Sequence, residues 1–107
     1  MYNIQIEKKR VEDNLFREIE NAVNNFYFIG LRGRSQESLY IKARMMFIVI
    51  SYGYGFTFQR IGEYLGYANH CQPRYFYRQY FDIKDIYPEY KEDLTSIMAV
   101  LSDVLKD

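Results

Sequence analysis

The sequence contains one histidine and one cysteine, which are adjacent at His70 and Cys71. These are the side chains considered first as a catalytic nucleophile with its base, or as metal ligands. Successive helix positions point in different directions, so the two are poorly placed to form a nucleophile–base pair. Two ligands alone do not make a structural zinc site. Residues 53–56, Gly-Tyr-Gly-Phe, lack the Gly-Lys-Ser/Thr ending of a phosphate loop. The sequence therefore predicts no enzyme, no metal, no nucleotide and no cofactor.

Cationic side chains offer another chemistry, the binding of phosphate. Arg74 and Arg78 are four residues apart and share one face of a predicted helix. Upstream, Thr57 is suited to cap a short helix, and Gly66 is suited to end it because glycine tolerates a positive φ. A short helix, a Gly-bearing turn and a basic second helix are typical of the helix-turn-helix. We predict this motif at about residues 57–81.

The residues of this motif carry a more specific resemblance. The string at 61–70, Ile-Gly-x-x-Leu-Gly-x-x-Asn-His, resembles the C-terminal DNA-binding domain (domain IV) of the bacterial replication initiator DnaA. Arg44 falls where that family has an Arg opening a long central helix, and residues 21–28 resemble its first helix. The resemblance covers about residues 15–81. It implies a Trp-repressor-like helix-turn-helix whose second helix enters the major groove of DNA.

The sequence also departs from the family pattern. Ala68 stands where the family has Arg, and Asn69 stands where it has Asp. Cys71 and Gln72 replace a pair of threonines, and Pro73 replaces a small aliphatic residue. We therefore expect a related fold with altered readout, and the family's target sequence is not carried over.

The predicted DNA-contacting residues come from four segments: the second helix of the motif, its first helix, the central helix and a Gly-bearing loop. They are Asn69, His70, Gln72, Arg74, Arg78, Arg60, Lys42, Arg44, Arg32 and Arg34. The simpler interpretation of each cation is a solvated side chain or a surface ion pair, such as Arg44 with Glu37 or Asp82. For His70 the simpler interpretation is a hydrogen bond from its side chain to the turn.

Pro73 leaves the start of the second helix open. If Asn69 caps this helix, Pro73 removes an N–H that would normally bond back to the cap. The helix starts instead at Gln72 if Pro73 is its first full residue. In that case His70 and Cys71 lie in the turn.

Hydrophobic periodicity predicts an all-α fold, a five-helix bundle, over the whole chain, 1–107. Val11, Leu15, Ile19, Val23 and Phe26 indicate a helix at about 11–27, after a solvated lead-in at 1–10. A second helix at about 36–52, capped by Ser35, is apolar nearly all round and belongs at the centre of the bundle. The motif completes a DNA-binding core at 11–83. Pro88 is suited to open an acidic C-terminal helix within 84–107.

The acidic last helix lies beyond the initiator resemblance. Its apolar stripe packs either on the chain's own core, near Leu15 and Ile19, or against a second copy or protein partner. The stripe comprises Leu94, Ile97, Met98, Leu101, Val104 and Leu105.

Charge is unevenly distributed along the chain. The net charge is zero, which by itself disfavours nucleic-acid binding. Residues 32–84, however, hold eight basic and three acidic groups, for +5, whereas residues 85–107 hold two basic and six acidic groups, for −4. The positive charge thus coincides with the predicted DNA-binding motif. No apolar run is long enough for a membrane span, and the lone cysteine suits a reducing cytoplasm.

These patterns favour a non-catalytic protein that binds double-stranded DNA, a transcription regulator or replication accessory of a phage or mobile element, cytoplasmic and nucleoid-associated. The alternative is a protein-interaction adaptor on an initiator-like fold that has lost DNA binding. A third interpretation is a single-stranded nucleic-acid binder, because aromatic residues alternate with the cations at 74–81.

Overall fold

A computed structural model describes residues 4–32 and 37–106, with side chains from residue 11 onward. All regular structure in these ranges is helical, which confirms the predicted all-α, five-helix class. In chain order the helices are α1 (Ile4–Tyr27), α2 (Ser38–Gly53), α3 (Phe58–Leu65), α4 (Cys71–Ile83) and α5 (Pro88–Leu105). No helix within the described ranges is long and apolar enough to cross a bilayer.

Helix α1 begins earlier than predicted. It starts at Ile4 and takes in the segment expected to be a lead-in. Residues 7–10, Glu-Lys-Lys-Arg, are good helix formers, and no Gly or Pro separates them from the apolar stripe. The helix therefore extends through them toward the N-terminus. The predicted stripe was also partly wrong, because Val11 is 63% exposed and Phe16 is fully buried.

Helix α2 is the buried centre of the bundle, as predicted. Residues 43–51 are all buried, and they include Phe47 and Ile48 with no exposed surface. Burying each such side chain contributes about 1.5–3 kcal/mol. The helix starts at Ser38, two residues later than predicted, with Glu37 as an N-cap that makes no side-chain capping bond. Ser35, the predicted cap, lies outside the described residues.

Helix α5 packs on the chain's own core. Of the two arrangements that the sequence left open for its apolar stripe, this is the intramolecular one. Ile97 and Leu101 are buried in the same cluster as Ile19 of α1, whereas Leu94 is partly buried against it. The flanks of the stripe stay partly exposed at Met98, Val104 and Leu105. The centre of this stripe is therefore not accessible to a second copy.

A polar cluster fixes the N-terminal end of α5. Asp93 Oδ2 lies 2.9 Å from Lys42 Nζ of α2 and accepts a hydrogen bond of 2.9 Å from the Tyr27 hydroxyl of α1. The Lys42 ammonium also lies 4.5 Å from the centre of the Tyr90 ring, a cation–π distance. One carboxylate thus links three helices.

Candidate nucleic-acid interface

Helix α3 and the start of α4 are held together by a tight connection at residues 66–70. Thr57 Oγ1 caps α3 by accepting a hydrogen bond of 3.1 Å from the Arg60 amide, as predicted. Gly66 ends the helix with φ 85°, the left-handed conformation that favours glycine. A Cβ on Gly62 would lie 3.0 Å from the Asn69 carbonyl oxygen. The absence of a side chain at Gly62 therefore lets the connection lie directly against α3.

Helix α4 starts at Cys71. This lies one residue before Gln72, the later of the two starts that the sequence left open. The Asn69 side-chain oxygen accepts a hydrogen bond of 2.8 Å from the Cys71 amide. The first intrahelical bond runs from the Arg74 amide to the His70 carbonyl, at 3.2 Å. Pro73 is the third residue of the helix, where the missing N–H has no partner within the helix. His70 is the N-cap, so it lies at the edge of the turn.

The outward face of α4 carries exposed cationic and aromatic side chains. Arg74 and Arg78 are both exposed, and neither forms an ion pair with a carboxylate in the described part of the chain. Tyr75, 60% exposed, shares this face. Tyr75 is not among the predicted contacts, although its helical spacing from Cys71 and Arg78 places it near them. Charge on this face is thus open to an external anion.

A cleft of about 280 Å³ lies beside the start of α4. Exposed amide and imidazole groups from the connection, at Asn69 and His70, line one side of it. The other side carries Gln59 and Glu63 of α3. The cleft therefore presents hydrogen-bond donors and acceptors, together with the Glu63 carboxylate, beside the start of α4.

The other predicted DNA-contacting cations that the structure describes form hydrogen bonds or ion pairs within the chain. Arg44 is only 8% exposed, and its Nε donates a hydrogen bond of 3.0 Å to the Leu31 carbonyl. Its placement corrects the expectation of a phosphate contact from the central helix. The Arg44 side chain faces inward and anchors the loop after α1. Its positive charge also acts on the Tyr67 hydroxyl of the connection.

Two further arginines pair with acidic residues of α1. Arg32 Nε lies 3.0 Å from Glu20, and the Arg32 guanidinium lies 4.1 Å from the centre of the Tyr64 ring. Burial and a hydrogen bond to Glu20 raise the pKa of the Tyr64 hydroxyl. Arg60 lies 3.1 Å from Glu12. Glu20 lies 12 residues from Arg32 and Glu12 lies 48 residues from Arg60, so both pairings depend on tertiary packing.

Lys42 pairs with Asp93 as described above, and Arg60 also pairs with Glu63 at 3.0 Å within its own helix. Arg34 was predicted as a contact but lies outside the described residues. The predicted site thus divides in two: an exposed group on and before α4, and an internally paired group elsewhere. No cluster of three or more metal-ligating side chains occurs among the described residues.

Comparison of the chain with protein-family models, curated proteins and solved structures gave no match. The initiator resemblance therefore rests on the amino-acid sequence alone, at residues 61–70, at Arg44 and at residues 21–28.

Proposed function

We propose that the chain binds double-stranded DNA without catalysis, through a helix-turn-helix formed by α3 and α4. The N-terminal half of α4 would lie in the major groove. Gln72 is suited to pair with adenine, and Arg74 with guanine or phosphate. Asn69 and His70 would contact the groove edge from the connection. Arg78, one turn further along α4, would reach a flanking phosphate.

The single observation that carries this proposal is the exposed, unpaired charge at Arg74, on a helix whose start is fixed rigidly against α3. Recognition requires side chains held on a rigid element and accessible to bases. The close approach of the connection to Gly62 and the left-handed turn at Gly66 hold the start of α4 against α3. By the initiator resemblance, the protein would act as a transcription regulator or a replication accessory. Its small size and divergence from the family suggest a phage or mobile element, and its lone cysteine suits the cytoplasm.

Binding to random-sequence duplex DNA across a salt series tests the proposal. Wild-type affinity should fall steeply with salt because phosphate contacts release counterions. Arg74→Ala should weaken binding and lower the salt slope by about 1. Lys91→Ala is the matched control, since it removes one exposed cation from α5, and should leave binding unchanged. Equal effects of the two variants would mean that only net charge matters, which would refute a site on α4.

A second candidate function is a protein-interaction adaptor. The observation that favours it is the internal pairing of cations that the DNA hypothesis had assigned to phosphates, at Arg32, Lys42 and Arg60. An adaptor on this fold should show no DNA binding even at low salt. The same salt series therefore separates the two functions.

A further inference from the structure

A continuous series of aromatic rings from α2, α3 and α4 reaches the surface. The Tyr52 ring of α2 stacks on Phe58 of α3 at 4.4 Å and lies 4.7 Å from Tyr77 of α4. The Tyr77 ring in turn lies 4.9 Å from Phe81. Tyr52 and Phe81 are 40% and 45% exposed. Large exposed rings of this kind are enriched at the centres of protein interfaces.

The C-terminal half of α4 forms an open cleft of about 340 Å³ at the end of this series. Tyr77 and Phe81 supply its apolar surface, and Arg78 and Asp82 its charged rim. We call this feature the α4 cleft. An aromatic surface with a polar, charged rim has the composition of a binding hot spot.

The two charges on the rim are unpaired, although their spacing favours an ion pair. Arg78 and Asp82 lie four residues apart on one helix, the distance at which opposite charges usually meet. Among the described residues neither one forms an ion pair, whereas Arg60 and Glu63 of α3 do at 3.0 Å. The α4 cleft thus offers one positive and one negative group to an external partner.

We propose that the α4 cleft binds a second copy of this chain about a two-fold axis. In an antiparallel pair of α4 helices whose two-fold axis passes midway between Arg78 and Asp82, Arg78 of each copy lies opposite Asp82 of the other. The same rotation brings each Phe81 ring to the aromatic surface of the opposite cleft. A single two-fold rotation thus pairs the charges of both copies and buries both apolar surfaces.

The chemistry of the rim selects this occupant over others. A nucleic-acid phosphate would pair with Arg78, as proposed above, but it would leave Asp82 without a counter-charge. A purely acidic or purely basic partner would likewise satisfy only one of the two charges. A second copy carries the complement of both. The contact leaves Gln72 and Arg74 at the outer ends of the helix pair, and it competes with the proposed DNA contact only at Arg78.

Sedimentation equilibrium of the full chain, up to about 1 mM, tests this proposal. Wild type should dimerise. Arg78→Asp and Asp82→Arg should each weaken self-association about tenfold or more, because like charges then face each other. An equal mixture of the two variants should regain dimers, since one variant offers two acidic groups and the other two basic groups. Lys91→Asp on α5 is the charge-reversal control and should dimerise as wild type does.

The mixing step also answers the objection that a variant simply misfolds, because two misfolded chains would not restore the complex. Circular dichroism of each variant should match that of wild type. A monomeric wild type over the whole concentration range would overturn the proposal. So would a dimer that both single variants leave intact, or a mixture that stays monomeric.

Discussion

The Asp93 carboxylate offers the sharpest stability prediction, because its Oδ2 atom meets both Lys42 Nζ and the Tyr27 hydroxyl at 2.9 Å. The Lys42 and Asp93 side chains are only 17% and 20% exposed, so solvent screens the pair weakly. Hydrogen bonds to charged groups contribute about 1.5–3 kcal/mol each. We predict that Asp93→Ala lowers the free energy of unfolding by about 2–3 kcal/mol, because Lys42 loses its counterion. At about 4 °C per kcal/mol, Tm should fall by about 8–12 °C.

Urea unfolding followed by circular dichroism at constant pH measures this change. Asp103→Ala is the matched control on the same helix, since Asp103 is 80% exposed and lies 3.9 Å from Lys106. The control should change stability by no more than about 0.5 kcal/mol. If Asp93→Ala is equally mild, the three-helix contact does not stabilise α5 and the reasoning fails. A double-mutant cycle with Lys42→Met should give a coupling of about 1 kcal/mol or more.

Three further predictions concern pH, burial and backbone conformation. Burial and the hydrogen bond to Asp93 raise the pKa of Tyr27, so the unfolded chain loses this proton first and stability should fall as pH rises above about 10. Urea titrations at several pH values should show a shallower fall for Tyr27→Phe. Ser51 Oγ is buried without a partner among the described residues, so Ser51→Ala should raise stability by about 1 kcal/mol in the same assay. Gly66→Ala should lower it by about 1 kcal/mol because of the left-handed φ, whereas Gly53→Ala, in open space within a helix, should not lower it.

Local signals in the sequence were enough to predict the elements around the candidate site. Thr57 and Gly66 set the bounds of α3, because capping and a positive φ depend on the residue itself and its nearest neighbours. The buried character of α2 was equally clear, since apolar residues on every face leave no side for solvent. The start of α1 was missed because a charged segment of good helix formers resembles a solvated lead-in.

The fate of the cations could not be predicted in the same way. Arg60 and its partner Glu12 are 48 residues apart, and the bond from Arg44 to the Leu31 carbonyl depends on how a loop folds over α2. Such contacts depend on tertiary packing, which cannot be predicted from composition or from helical spacing. Counting cations by segment therefore overstated the charge available for phosphate. Among the described cations of the predicted site, Arg74 and Arg78 on α4 are the ones that are exposed and form no ion pair.

Amide chemical-shift mapping of the labelled chain during titration with duplex DNA at low salt tests the central proposal most directly. DNA binding through α4 predicts that the largest shifts fall on residues 69–78, with residues 88–105 of α5 almost unchanged. The shifts should reverse when salt is added, because phosphate contacts are screened and counterions return. Shifts confined to α1 or α5, or no shifts at any DNA concentration, would contradict the proposal that α4 is the DNA-reading helix.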